Sequence, residues 1–124
     1  VLCHKSREKA NVVSEMTIIG DVKDKNVIIL DDMVDTAGTL TKAAGIMSNA
    51  GAKSVRAVVT HAVMSDPASS RVDDSSLEEI IFTNSIPFHK SCKKAHVLSV
   101  APLFADTIQR VIDNRSISEN YLTK

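Results

Sequence analysis

The amino-acid sequence predicts an α/β domain of three layers, in which a mainly parallel β-sheet lies between helices on both of its faces. Two observations support this fold class. Short apolar runs, above all residues 27–30 and 55–59, alternate with segments of helical periodicity along the 124 residues. Continuous apolar runs of this kind are typical of strands covered on both faces, and alternation of strands with helices is the pattern of parallel sheets.

The first half of the chain predicts a strand–helix–strand unit. Residues 16–20 indicate an additional strand, and residues 23–26 a turn that leads into the central strand at residues 27–30. The next segment has one apolar stripe at helical spacing, formed by Leu40, Ala43, Ala44 and Met47. Gly51 is a residue type at which helices end, and the β-branched run at residues 55–59 predicts the following strand.

The second half of the chain continues the alternation. Residues 80–82 and 97–100 predict two shorter strands. Pro102 suits the first turn of a helix, and a second apolar stripe follows it, formed by Phe104, Ile108, Val111 and Ile112. Asp106 and Arg110 are spaced as an i, i+4 ion pair on an exposed helix face.

Composition and charge exclude several classes of function. Hydrophobic residues make up 44% of the chain and charged residues 24%, as expected for one globular domain that spans residues 1–124. The 15 basic residues balance the 15 acidic ones, which argues against a nucleic-acid or membrane-surface binder. The longest apolar run is far too short to cross a membrane. Two cysteines, Cys3 and Cys92, do not make a disulfide scaffold, so a cytoplasmic location is expected.

The most informative segment is residues 31–39 (DDMVDTAGT), which joins the central strand to the first helix. Ligands of open α/β sheets bind at this end of the strands. Thr36, Gly38 and Thr39 suit an anion, because they offer hydroxyl donors, close backbone approach and the N–H groups of a helix N-terminus. The segment has no Gly-Lys-Ser/Thr, so it is not a Walker A motif. Residues 35–39 are termed the phosphate loop below.

The carboxylates of this segment indicate what else the ligand carries. Asp31 and Asp32 beside an anion site are explained if the ligand also presents hydroxyl donors or a Mg²⁺ ion, and a sugar phosphate meets both requirements. The alternative is that Asp35 or Thr36 caps a helix while the acidic pair is a solvated strand end. We favour a site, because an apolar strand followed by two acids and a small-residue turn is the more specific arrangement.

The whole segment from residue 27 to residue 39 resembles the phosphoribosyl-diphosphate (PRPP) binding motif of type I phosphoribosyltransferases and their relatives. A wider set of segments, in order along the chain, resembles the ribose-phosphate diphosphokinases (PRPP synthetases). These segments are residues 4–11 (HKSREKAN), 19–22 (IGDV), 60–61 (TH), 66–68 (DPA), 83–87 (TNSIP) and 116–118 (SIS).

The resemblance is to the C-terminal part of that family, whose members have two similar domains. The chain also lacks an initiator Met and opens on residues typical of a strand end (VLCH). We therefore expect a single type I phosphoribosyltransferase-like domain from a longer two-domain enzyme. The N-terminal domain would be required for activity, so this chain alone is expected to be inactive.

The resemblance implies an enzyme of nucleotide biosynthesis that transfers diphosphate from MgATP to ribose 5-phosphate, giving PRPP and AMP. Mg²⁺ would enter with ATP as co-substrate, and the enzyme would be a homo-oligomer. By the resemblance, Asp31 and Asp32 bind the ribose hydroxyls. The 5-phosphate is bound by Asp35, Thr36, Ala37, Gly38 and Thr39.

Two further sets of residues take roles from the resemblance. Lys5 and Arg7 correspond to the basic residues of a mobile catalytic loop, here residues 1–11, and cations placed on transition-state charge assist phosphoryl-type transfer. The alternative, which composition alone favours, is a solvated basic terminus. Ser116, Ile117 and Ser118 correspond to a regulatory phosphate site between subunits, with a frayed polar tail as the alternative.

Other residues receive no catalytic role. His61 follows a predicted strand, and we expect its ring to bond backbone. His89 and His96 have no metal-ligand spacing with Cys92, so no metal ligands are assigned. Two alternative functions stay open at this point. One is a phosphoribosyltransferase that consumes PRPP, and the other is a non-catalytic, ribose-phosphate-binding regulatory homologue.

Overall fold

The computed structural model describes residues 2–9 and 12–120, with side chains from residue 19 to residue 119. The strands are β1 (Leu2–Lys9), β2 (Val12–Ile19), β3 (Asn26–Val34), β4 (Ser54–Ala62), β5 (Glu79–Thr83) and β6 (Ala95–Leu98). The helices are α1 (Gly38–Asn49), α2 (Ala68–Asp73) and α3 (Ala101–Ile112), followed by a short 3₁₀ helix (Ser118–Asn120). No helix in these ranges combines the length and the apolar character needed to cross a bilayer.

The central sheet has four strands in the order β3-β4-β5-β6, and each neighbouring pair is parallel. The predicted α/β class with a parallel sheet is therefore confirmed. All predicted strands and both predicted helices are present, and Gly51 follows the end of α1 with a left-handed φ of 87°. The sequence reasoning missed α2, because a helix of 6 residues is too short to show a helical repeat.

One face of this sheet carries the hydrophobic core. Helices α1 and α2 pack there against the buried side chains of β4 and β5. Core residues include Leu40, Ala44 and Met47 of α1, Val72 of α2, Val55, Ala57 and Val59 of β4, and Ile80 and Phe82 of β5. The apolar stripe predicted for the first helix is thus the buried face of α1.

The opposite face of β3 is not covered by the described residues. Ile28 is 60% exposed and Leu30 is 76% exposed, so the expectation that this apolar run is covered on both faces is not met here. The reason is the sequential strand order, since right-handed crossovers that all advance in one direction place their helices on one face. The stripe of α3 follows the last strand, and none of its residues is buried.

The N-terminal segment forms a β-hairpin separate from the central sheet. β1 pairs antiparallel with β2, and the register shifts between Ser6 and Arg7 and again between Arg7 and Lys9. Residues 1–11 were expected to form a loop, and the structure differs from this expectation over Leu2–Lys9. The backbone at Lys5 and Arg7 is extended, because it pairs with β2. The mobility of this segment stays a prediction.

Candidate functional site

A cavity of about 450 Å³ lies at the carboxyl end of β3, where the chain turns into α1. This volume is in the range of small-molecule sites. Its lining comes almost entirely from one continuous segment: Asp31, Met33, Val34, Leu40 and the whole phosphate loop, residues 35–39. The structure therefore brings together the residues that the sequence predicted for a sugar phosphate, with one exception, Asp32.

The two adjacent carboxylates differ in position. Asp31 lines the cavity, and its Oδ1 accepts a hydrogen bond of 3.0 Å from the backbone N–H of Asp32. Asp32 is not among the lining residues. The strand was expected to end before this acidic pair, but β3 continues to Val34. Since successive side chains of a strand point to opposite sides, the two carboxylates are directed apart.

The phosphate loop has a strained backbone where it enters α1. The N-cap residue is Ala37, whose φ of 58° and ψ of 4° lie in the left-handed region that non-glycine residues rarely adopt. The N-cap residue itself makes no side-chain capping bond, so neither Asp35 nor Thr36 occupies the N-cap position. The first turn of α1 is instead directed at the cavity, which suits an anionic ligand.

The charge within the cavity lining is negative, from Asp31 and Asp35, and no lysine or arginine is among the lining residues. A cation nevertheless contacts the phosphate loop from outside the cavity. The Arg71 Nη1 of α2 donates a 3.0 Å hydrogen bond to the backbone carbonyl of Thr36. Sequence reasoning missed this residue because it missed the short helix that carries it.

A polar cluster lies at the carboxyl ends of β4 and β5. His61 pairs in register with Met33 of the cavity, so it lies at the same edge of the sheet. Its Nδ1 is 2.9 Å from Ser85 Oγ, and the Thr83 hydroxyl donates to the Thr60 carbonyl at 2.8 Å. The expected backbone bond of the His61 ring is therefore replaced by a side-chain partner from the loop after β5.

The predicted regulatory residues lie beside the end of α3. Ser116 Oγ and Ser118 Oγ are 2.8 Å apart, and the Arg110 guanidinium donates to the Ser116 carbonyl at 3.0 Å. Arg110 also forms the predicted pair with Asp106, at 2.9 Å, and a second pair with Glu119, at 3.1 Å. The segment is thus tied to the helix, and its regulatory role stays a prediction.

Two further predictions concern the catalytic cations and the metal ligands. The side chains of Lys5 and Arg7 fall outside the described side chains, so their catalytic roles stay predictions. Between residues 19 and 119, no three histidine, cysteine, aspartate or glutamate side chains converge in a way that could hold a metal ion.

The fold and the site together define a class: a parallel α/β domain of the type I phosphoribosyltransferase-like kind, with its phosphate loop between a strand and a helix. The family comparison identifies it further. Residues 4–122 match the model of the phosphoribosyl synthetase-associated domain. The chain belongs to this family.

Similar proteins carry one functional name. The chain is 60% identical over 121 residues to the ribose-phosphate pyrophosphokinase of Porphyromonas gingivalis, a match that covers 98% of this chain and 39% of the relative. It is 51% identical to that of Helicobacter hepaticus, over 95% of the chain and 38% of the relative. The resemblance inferred from the motifs is therefore confirmed.

The structural comparison agrees. The crystal structure of phosphoribosylpyrophosphate synthetase from Mycobacterium smegmatis superposes with a TM-score of 0.81 at 39% identity, covering 90% of this chain and 36% of that one. This likeness confirms the fold. In each of these three comparisons the chain spans less than two fifths of the relative's length, 39% at most.

Proposed function

We propose that this chain supplies the ribose 5-phosphate site of an enzyme that transfers diphosphate from MgATP to ribose 5-phosphate. The observation that carries the proposal is the cavity of about 450 Å³ with a carboxylate on its strand side and an uncapped helix N-terminus on its loop side. A sugar phosphate has hydroxyl groups that suit the carboxylate and a phosphate that suits the helix N-terminus. Membership of the family, and the shared name of the relatives, favour this reaction over one that consumes PRPP.

The phosphate loop is suited to the 5-phosphate. The backbone N–H groups of a helix start and the hydroxyls of Thr36 and Thr39 are donors, and the helix dipole favours negative charge at this end. Gly38 leaves the backbone open to close approach. Ala37 would bind through its backbone N–H, since its side chain is buried in the core.

The ribose would lie toward the end of β3. Asp31 is placed to accept hydrogen bonds from its hydroxyl groups, and a charged acceptor strengthens such bonds. The role that the resemblance gives to Asp32 requires the sugar to extend around the edge of β3, because this carboxylate does not line the cavity. Asp35 is the first residue of the loop and would contact the 5-phosphate through its backbone N–H, because its carboxylate and the phosphate repel.

Catalysis in this proposal is mostly a matter of orientation. With the 5-phosphate anchored, the anomeric hydroxyl attacks the β-phosphorus of ATP, the bond between that phosphorus and the α-phosphate oxygen breaks, and AMP leaves. Lys5 and Arg7 would stabilise the negative charge of the transition state. This part of the proposal rests on the resemblance alone.

The proposal extends to cofactor and partners. Mg²⁺ is the metal ion that the resemblance implies. The ion would enter with ATP, as a co-substrate bound through the phosphates. We also propose a homo-oligomeric enzyme of the cytoplasm, in which residues beyond this chain complete the ATP site.

An NMR titration of the chain with ribose 5-phosphate tests the central claim. We expect shifts concentrated at residues 31–39, and smaller ones with inorganic phosphate or ribose, because each control lacks one of the two polar ends. Thr36→Val is a matched variant, since it removes a hydroxyl while keeping the shape of the side chain. An absence of shifts in both the chain and the full-length enzyme would contradict the assignment.

A further inference from the structure

We infer that Arg71 is a positioning residue that holds the phosphate loop in its ligand-binding conformation. The inference rests on the proposed function and deepens it. Arg71 lies on α2, 35 residues along the chain from Thr36, and does not line the sugar-phosphate cavity. It lies in a neighbouring polar groove of about 520 Å³ on the other side of the loop, and Gly38 lines both spaces.

Arg71 makes one hydrogen bond to the loop backbone and lies close to a second loop residue. Its Nη1 donates to the Thr36 carbonyl at 3.0 Å. A Cβ placed on Gly38 would lie 3.5 Å from the same nitrogen, so any side chain at position 38 would contact the guanidinium. The strained residue Ala37 thus lies between the residue whose carbonyl Arg71 binds and the glycine beside which the guanidinium lies.

The hydrogen bond sets the direction of one N–H group. A peptide unit is planar and trans, so its carbonyl and its N–H point in opposite directions. With the Thr36 carbonyl held toward Arg71, the N–H of Ala37 is directed away from the groove, toward the cavity side of the loop. The left-handed φ of 58° at Ala37 is unfavourable for alanine and persists only where surrounding contacts fix it.

Arg71 also changes the electrostatic field of a cavity whose own lining is acidic. Asp31 and Asp35 disfavour an anion, whereas a guanidinium behind the loop backbone favours one. Lys42 provides a matched comparison. It lines the same groove and carries the same charge, but within the described residues it makes no hydrogen bond or ion pair with the loop.

The test uses the full-length enzyme and three variants: Arg71→Met, Arg71→Lys and Lys42→Met. Steady-state kinetics give kcat and KM for ribose 5-phosphate and for ATP. Loss of one charge-assisted hydrogen bond predicts that Arg71→Met raises the KM for ribose 5-phosphate about tenfold, with the KM for ATP unchanged. Lys42→Met should change it less than about twofold, because an exposed charge alone has little effect. Arg71→Lys should fall between them, since it keeps the charge and one donor.

The outcomes separate this inference from the proposed function. An unchanged KM for ribose 5-phosphate in Arg71→Met would overturn the inference alone, as would an equal rise in Lys42→Met, which would show a charge effect without positioning. If Arg71→Met does not fold, Arg71→Lys decides: a selective rise in the ribose 5-phosphate KM supports the role, and wild-type constants overturn it. A wild-type enzyme that does not use ribose 5-phosphate would overturn the proposed function and the inference with it.

Discussion

One face of the central sheet is buried, whereas the apolar stripe of α3 is exposed. On one face Phe82 is 1% exposed and stacks edge-on against Phe88, with ring centroids 5.1 Å apart. In α3, which follows the last strand, Phe104 is 59% exposed. A hydrophobic stripe therefore predicts a buried surface only where the topology brings a partner. The sequential strand order supplies one on the face of α1 and α2.

The largest expected effect is a loss of stability on truncation of the buried Phe82 ring. Phe82→Ala should lower the free energy of unfolding by about 3–5 kcal/mol, because it removes a large core side chain and leaves a cavity. Phe104→Ala is the matched control and should change it by no more than about 0.5 kcal/mol, as for an exposed position. Urea unfolding of both variants measures the difference.

The same two variants can also contradict the difference in burial between the core face and α3. A loss for Phe104→Ala as large as that for Phe82→Ala would mean that α3 buries its stripe in solution.

The second expected effect concerns ligand binding by the two adjacent carboxylates near the end of β3. Asp31 lines the cavity, whereas Asp32, the next residue of the strand, does not. Asp31→Asn should weaken ribose 5-phosphate binding about tenfold or more, because a charged acceptor in the cavity is lost. Asp32→Asn should weaken it less.

Calorimetric or NMR titration of both asparagine variants checks this order, with inorganic phosphate as the control ligand for the loop. Equal losses would show that the sugar reaches both carboxylates. An Asp32→Asn loss larger than that of Asp31→Asn would contradict the placement of the ribose.

Local patterns predicted most of the fold, and the reasons for the exceptions are physical. The α1 stripe and the strand run at residues 27–30 follow from short-range periodicity, and both are present. The uncovered face of β3 depends on strand order, which periodicity does not specify. The position of Asp32 depends on the four further residues by which the strand extends beyond residue 30, to Val34.

Most residues of the site could also be predicted from a short local segment of sequence. Residues 31 and 35–39 line one cavity because they are adjacent in sequence and follow a strand. Arg71 comes from a different helix, and its role depends on a tertiary hydrogen bond to Thr36. No local pattern marks a single arginine in a polar segment.

A third, pH-dependent effect concerns the covered face, where α2 joins the segment before β6. The Asp73 carboxylate accepts hydrogen bonds from the Cys92 thiol and from the N–H groups of Lys93 and Lys94. Burial raises the pKa of Asp73, but these bonds outweigh it and hold the pKa below its ordinary 3.8. The stability they give is present above 3.8 and is lost as the pH falls through the lowered pKa.

Asp73→Asn should therefore be less stable than the wild type at pH 7, and the two proteins should converge as the pH falls below that range. Asp74→Asn is the matched control, because its carboxylate has no such hydrogen bonds to the segment before β6. Urea midpoints across the pH series measure the difference. A gap that stays constant down to the most acidic pH would show that the carboxylate charge is not what stabilises this junction.

The smallest expected effect lies at the end of α3. Arg110 links the helix to Ser116 and Glu119, and its side chain is only 13% exposed. These are contacts within a short C-terminal segment, so Arg110→Gln should leave the urea midpoint nearly unchanged and instead speed amide hydrogen exchange over residues 115–119. Arg115→Gln, whose ion pair with Asp113 is long at 4.0 Å, should not. If the midpoint fell as far as it does for Asp73→Asn, the end of α3 would contribute to global stability, and its contrast with the buried face of the sheet would fail.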